Sequence, residues 1–478
     1  MTTKRLQFTD WLPDQPANAG SLNDAKNVYP VGIGYGAFPS AVDFSNAASE
    51  DINNIFVAKF GANVEVFAGG ATKLFKLNTA TLALADVSKV GGYTGNGTWK
   101  FEQFGNIVLA CNDTQKIQAW TIGVSSAFAD VAAAAPVAKD IAVVRDFVFA
   151  GNIGTGTNPD KVQWSDINDE TDWTSGATSQ SDFQIIPDGG NVQAITGGEF
   201  GVILLEKSVV RASYVGSPLF FQFDTISSGL GCLEGNSVAR YGNITFFLSD
   251  DGWYSTDGQT VTNIGLEKVD RWFLSTVDLT NINTMSAAVD PVKNLVVWNY
   301  ADVDGNRRIL IYNWQLQKWS RAETTSDVVG TIATLGETLE SLGSSLGYTD
   351  IDTMPASLDS RLFIGGKFLF AGTKDDKIVT FTGESITPQL ITTDVEIGYN
   401  SVATLARPQI DNGTAQVAVA SRRELDDNIE FSAFVPATTE GRCSLRSAGR
   451  YHRFNVQPTG SWTTAMAVDV DVKPQGNR

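Results

Sequence analysis

Histidine, cysteine, positive charge and long apolar runs are what this sequence has least of, and each shortage removes a class of function. His452 is the single histidine of 478 residues. It stands in GRYHRFNVQ between Arg450 and Arg453 on an alternating strand pattern, and no Ser–His–Asp, Cys–His or His-ligated zinc set assembles around it. A surface strand histidine is the expectation. The three cysteines, Cys111, Cys232 and Cys443, are too scattered for a disulfide scaffold or a zinc knuckle. Their odd number fits a reducing cytosolic origin and places in the core. With 35 Lys and Arg against 53 Asp and Glu the net charge is −18, so a broad phosphate-gripping surface, which needs clustered cations, is not expected. RRELDD (422–427) and GNRR (305–308) are small charge groups that read as solvated turns. No run of about 18 apolar residues occurs, and MTTKRLQFTDWLPDQPANAG has no apolar h-region, so neither a membrane span nor a signal peptide is expected. No G-x-x-x-x-G-K-[ST] loop exists, and the glycines of VGIGYG read as neither preceded by a strand nor followed by a helix, which argues against nucleotide binding.

What is present is a repeat. Charged residues make up only 18% of the chain and glycines number 45, a profile of β-structure with many tight turns. An apolar run, a turn with Gly, Asp or Lys, a second run, a second turn and a third run recur about seven times, as in FVAKFGANVEVFAGGATKLFKL (56–77) and KFEQFGNIVLACNDTQKIQAWTI (100–122). Taking the first turn of each copy as a marker gives Gly61, Gly105, Asp146, Gly201, Gly242, Lys293 and Lys367, spaced by 44, 41, 55, 41, 51 and 74 residues. Apart from the last, these sit near the ~40–50-residue period of a four-stranded propeller blade. The fold class expected is all-β, a β-propeller of about five to seven blades; a large two-sheet sandwich built of meanders is the alternative.

Three regions stand outside the repeat. Residues 1–45, Pro- and Gly-rich, read as an extended N-terminal arm suited to lying on a neighbour. Residues 323–360, within the propeller region 46–387, read as an insertion between blades, with a short amphipathic helix over Leu339, Leu342 and Leu346. Residues 388–478 carry longer alternating runs and read as a β-rich, sandwich-like region or as outer strands.

Two stretches invite a chemical reading. KVQWSDINDETDWTSG (161–176) crowds Asp166, Asp169, Glu170 and Asp172, with Asp160 just upstream, between Trp164 and Trp173. Counted as a calcium loop from Asp166, it has Asn168 and Glu170 in place but Thr171 where the glycine belongs and Ala177 where the bidentate glutamate belongs. A polar turn whose side chains cap backbone amides is the better account. SDDGWYSTDG (249–258) approaches the S-x-D-x-G-x-x-W box of sialidase propellers through Ser249 and Asp251, but Gly252 comes one residue early and Trp253 three early. A tight Asp-Gly hairpin, repeated at Asp257-Gly258, explains it without a glycosidase. No catalytic, cofactor-binding or metal-ligating residue is assigned, and no cofactor is expected.

VQWSDINDETDWT followed by FQIIPDGGNVQAITGGEFGVILLEKSVVRASYVGSPLFFQFDTI, with Ser208 starting a strand, resembles the tail hub proteins of short-tailed bacteriophages, also called nozzle or packaged-DNA stabilisation proteins. The likeness continues through FFLSDDGWYSTDG, VDRWF, SLDSRLFIGGKFLFAG, WLPDQPANAGSLNDAKNVYPVGIGY and GRYHRFNVQPTGSWTTAMAVDV. It implies a non-enzymatic propeller-based ring subunit, six copies to a ring, in the virion tail after synthesis in the bacterial host cytoplasm. It further implies attachment beneath the portal and adaptor, extension of the DNA channel, retention of packaged DNA, ejection through the lumen, and docking of tail fibres, spikes or needles, without membrane insertion. Two other functions fit the residues: a propeller serving as an interaction platform, and a glycan-binding or glycan-degrading tail protein.

Overall fold

The computed structural model of the chain describes residues 2–16, 19–61, 63–79, 81–95, 98–333 and 368–475. Five short strands come first: β1 (Thr2–Gln7), β2 (Leu22–Lys26), β3 (Val28–Val31), β4 (Gly34–Ala37) and β5 (Pro39–Asp43). Antiparallel meanders then follow one another. Blade 1 is β6 (Ile52–Phe60), β7 (Asn63–Gly70), β8 (Leu74–Leu77) and β9 (Leu84–Asp86); blade 2 is β10 (Lys100–Phe104), β11 (Ile107–Cys111), β12 (Gln118–Thr121) and β13 (Ala129–Asp130). Blade 3 is β14 (Ala138–Val144), β15 (Phe147–Ile153), β16 (Asn158–Trp164) and β17 (Asp182–Ile185); blade 4 is β18 (Val192–Thr196), β19 (Gly201–Leu205), β20 (Ser208–Gly216) and β21 (Phe220–Ser228). Blade 5 is β22 (Ala239–Tyr241), β23 (Ile244–Ser249), β24 (Gly252–Thr256) and β25 (Val261–Asn263), after which comes the helix α1 (Asp270–Thr276). The next meander is β26 (Ser286–Asp290), β27 (Leu295–Ala301), β28 (Arg307–Asn313) and β29 (Lys318–Glu323). The last blade is β30 (Val328–Ala333), β31 (Phe368–Lys374) and β32 (Lys377–Ser385), closed on its outer side by β5 from the start of the chain. The C-terminal strands are β33 (Gln389–Thr392), β34 (Val395–Asp411), β35 (Thr414–Arg422), β36 (Val435–Pro436), β37 (Cys443–Thr459) and β38 (Thr464–Pro474).

The chain is a β-propeller. Six blades are separate four-stranded sheets, and the β26–β29 meander takes the remaining place in the ring, between β22 and β30. The first strand of each unit is innermost, because β6, β10, β14 and β18 neighbour one another in turn, as do β22, β26, β30 and again β6. One apolar cluster fills each gap. Phe67, Trp99 and Trp120 lie between blades 1 and 2, and Phe149, Trp164 and Phe221 between blades 3 and 4. Ile55, Phe75 and Ile332 join the last blade to blade 1. A twisted sheet can bury both faces only by stacking on a neighbour at each side, so closing the circle removes the exposed end faces that an open row would keep.

The repeat markers fall where the folding logic puts them. Gly61, Gly105, Asp146, Gly242 and Lys293 lie in the first turn of their units, and Gly201 is the residue just after it; Lys367 lies outside the described residues. The turns at Gly61, Gly105 and Gly242 have φ of 61°, 60° and 60°, a region glycine enters without a Cβ clash.

Two regions differ from the sequence reading. The 1–45 segment is paired within the chain rather than free for a neighbour: β1 runs along β38, β2 along β33 and β29, β4 meets β38, and β5 closes a blade. Local composition marks Pro and Gly as strand-breaking, but their spacing leaves five short strands that gain partners from far along the chain. The start of the 323–360 segment holds an inner blade strand, β30; its proposed helix over Leu339, Leu342 and Leu346 lies outside the described residues.

The C-terminal strands extend one blade. The sheet runs β26–β27–β28–β29–β2–β33–β37–β34–β38–β4–β3 without a break. Its core joins Trp253, Trp298 and Trp319 of the propeller, Phe273 of α1, Trp11 and Tyr35 of the first strands, and Phe454, Val456 and Trp462 of the C-terminal strands.

Candidate functional site

The acidic turn is built by its own backbone. Asp166 Oδ1 accepts from the amides of Ile167 (2.8 Å) and Gln180 (2.8 Å). Asp169 Oδ1 accepts from Thr171 N (2.9 Å) and Oγ1 (2.6 Å), and these bonds hold its carboxyl below the usual range. Asp172 Oδ1 accepts from Thr174 N at 2.9 Å. The tryptophans enter opposite faces of blade 3: Trp164 stacks on Phe149 at 5.6 Å in the blade 3–4 cluster, while Trp173 joins Leu109 and Ile141 in the blade 2–3 cluster. Their indole N–H groups donate to the carbonyls of Gln180 and Glu170 at 2.8 and 2.7 Å. Asn168, at φ 54°, donates its amide to the Asp146 carbonyl at 2.7 Å and so ties this turn to the first turn of the same blade.

That bond identifies a face. In an up-and-down meander the first and third turns of every blade emerge on the same side. There, blades 1, 2, 4 and 5 and the β26–β29 unit expose Phe60, Val124, Leu219, Tyr241 with Ile244, and Val292 respectively, while blade 3 contributes the capped acids. The face thus carries exposed apolar tips, the acid-rich turn of blade 3, and the exposed acids Glu199 and Asp257 in the turns of blades 4 and 5.

The innermost strands carry charge into the channel. Glu102 of β10 makes no hydrogen bond or ion pair among the described residues. Burial, then repulsion by Asp140, pushes its carboxyl up to about 7 against the pull of Arg240. Arg240 stands on β22, two blades beyond Asp140, so the field that Glu102 feels comes from inner strands on more than one side of the ring. Asp140 accepts from Ile195 N at 2.6 Å, and burial raises its pKa. Lys139 donates to Gln193 Oε1 at 3.0 Å, and Arg240 Nε to the Gly242 carbonyl at 2.8 Å.

Other residues singled out in the sequence have structural partners. Asp257 Oδ1 caps the amides of Gln259 (2.9 Å) and Thr260 (2.8 Å), and Asp251 accepts from the Tyr254 hydroxyl at 2.9 Å, so SDDGWYSTDG is a pair of tight turns. All three cysteines are buried and free. His452 is a correction: it is fully buried, with Nε2 2.8 Å from Ser401 Oγ and Nδ1 2.7 Å from Ser421 Oγ. Burial lowers its pKa, which favours the neutral ring that donates from one nitrogen and accepts at the other. Strand alternation places a residue on one face, but long strands folding over one another bury both. Arg422 of RRELDD is likewise not solvated: with Arg453 it grips the buried Asp394. VGIGYG spans the β3–β4 hairpin, so a strand does precede it, and Gly34 abuts the Ala465 carbonyl so closely that a Cβ would collide. Ser208 opens β20, buried and, among the described residues, without a partner for its hydroxyl.

Sequence reasoning missed several polar centres. Asp270 accepts from Trp253 N at 3.0 Å, sits where Cβ atoms on Gly252 or Gly265 would collide, and is pushed up to about 6 by burial. Asp24 receives Arg321 through two bonds of 2.8 and 2.7 Å, tying β2 to β29. Asp14 caps α1 by accepting from Trp272 N (2.8 Å) and Arg271 N (3.0 Å). Each pair is separated by up to hundreds of residues, and no local spacing signals it.

No protein-family model and no curated protein matches the chain. Among solved structures it is similar to the computationally designed Ika8 protein, at 14% identity over 72% of this chain and 99% of that one with a TM-score of 0.37. It is also similar to a chain of the mitotic checkpoint complex (10% identity, 74% and 95% covered, TM-score 0.39) and to the Neurospora crassa Pan2 WD40 domain (7% identity, 73% and 95% covered, TM-score 0.40). At these values the strand pairing, not the likeness, carries the fold assignment.

Proposed function

We propose that this chain is a non-enzymatic propeller platform and, more finely, a tail hub ring subunit of a short-tailed phage, seated below the portal and adaptor, extending the DNA channel and docking fibres or spikes. The observation that supports the platform is the turn face, where five units raise exposed apolar tips among acid-bearing turns. Apolar side chains held in water on one face are stabilised when a partner covers them. The finer reading draws on the sequence resemblance and on charge. Each tight cation–phosphate contact slows DNA through counterion-coupled binding, and a chain of net charge −18 favours sliding over gripping.

The test is mass by light scattering, alone and with the portal–adaptor complex. Six copies added per adaptor ring support the hub; a monomer indifferent to the adaptor removes it and leaves the platform. The double variant Ile244→Lys, Val292→Lys assigns the face: it should fold normally and lose addition to the ring, whereas normal addition would place the contact elsewhere.

A further inference from the structure

We infer that the outer edge of blade 4 is a docking site for an extended segment of another protein, which would join the blade as a fifth strand. The inference stands on β21 and is independent of the tail hub reading.

An outermost strand bonds on one side and leaves alternate N–H and C=O groups unspent on the other, and proteins blunt such edges by shortening, capping or covering them. The other outer strands do this. β9, β13 and β25 have three, two and three residues. β5 has five and starts with Pro39. β17 spends its own side chains on its backbone: Asp182 Oδ1 accepts from Phe183 N at 2.9 Å, and Gln184 Nε2 donates to the Ile185 carbonyl at 2.7 Å. β29 has β2 beside it.

β21 is neither short nor capped nor covered; its one irregularity is a bulge at Ile226, between the Val210–Thr225 and Val209–Ser227 pairs, which leaves Phe220–Thr225 as the regular edge. Its nine residues, Phe220–Ser228, span about 30 Å. They pair with β20 alone, and from Gln222 to Ser228 no backbone group bonds elsewhere among the described residues. The side chains limit the occupant. Phe223 leans on Trp164 at 5.8 Å, half-buried and able to take an apolar side chain beside it, while Ile226 packs into the blade 4–5 cluster on the opposite face. Asp224 is exposed; its cross-strand neighbour Arg211 is turned away, over Phe200 at 4.3 Å and toward the Gly258 carbonyl at 3.4 Å. An extended segment alternating apolar and basic residues therefore fits, with backbone pairing giving affinity and the alternate side chains giving register. The net charge of −18 disfavours a second copy as occupant.

The probe is a fluorescein-labelled decapeptide of alternating valine and lysine, added to the full chain at 0.15 M salt and followed by anisotropy and amide hydrogen exchange. Saturable binding that slows exchange at 220–228 by at least tenfold is expected. Thr225→Lys, at an exposed position, should weaken binding at least tenfold. A peptide N-methylated at alternate residues, which tests the edge without altering the protein, should lose binding to the same extent. Absence of binding, equal binding of the N-methylated peptide, or protection elsewhere would overturn the inference. Concentration-dependent protection of 220–228 without peptide would also overturn it, by assigning the edge to a second copy.

Discussion

At Trp164 the indole is buried against Phe149, Phe221 and Phe223 while its N–H is satisfied by the Gln180 carbonyl. Trp164→Ala therefore leaves a cavity between two blades and should cost about 3–5 kcal/mol in denaturant unfolding. Asp166→Asn keeps the oxygen that accepts two amides and should cost under about 1 kcal/mol, whereas Asp166→Ala orphans both donors and should cost about 1–3 kcal/mol; equal losses for Asn and Ala would mean the charge, not the acceptor, matters. Glu102 supplies a pH test. Its folded pKa, about 7, lies above the ordinary 4.5, so the folded state holds the extra proton between these values and stability falls as pH rises through that window. Glu102→Gln should flatten this slope and stabilise the protein at pH 8 by on the order of 2–3 kcal/mol. An unchanged slope in the variant would assign the dependence to another group. His452 acts with the opposite sign: its pKa is depressed by burial, so its contribution is lost as pH falls below the ordinary value of 6.5.

Among the elements, β5 and the Asp394 clamp do most to join distant parts. β5 pairs with β32 across more than three hundred residues, and Phe38 just before it fills the apolar cluster against the β26–β29 unit. Removing residues 1–45 should therefore abolish cooperative unfolding by circular dichroism; a truncated chain that melts like the full one would make the segment an appendage. Asp394, at the β33–β34 junction, receives Arg422 from the end of β35 and Arg453 from β37. Asp394→Asn leaves two buried guanidinium groups without a counter-charge and should cost about 3–5 kcal/mol in chemical denaturation.

For the whole molecule, the unbroken sheet from β26 to β3 and the common core around Trp298 and Trp462 predict one calorimetric transition for propeller and C-terminal strands together. Two separated transitions would show that the sheet does not couple them. The repeat itself was legible in the sequence because every unit but the last is local: its strands are adjacent in the chain, and its first turn carries Gly, Asp or Lys at a near-constant interval, whereas the last blade borrows β5 from the start of the chain. Trp164, Trp173 and the cysteines were legible as core because their size or apolarity suits no other place. Tertiary structure decided what depends on distant partners. The pairing of β1–β5, the burial of His452 and Arg422, and the electrostatic influence of Arg240 on Glu102 all join residues whose separation carries no period. A side chain's own chemistry states that it needs a partner, but closure of the ring determines which partner it meets and how much water remains.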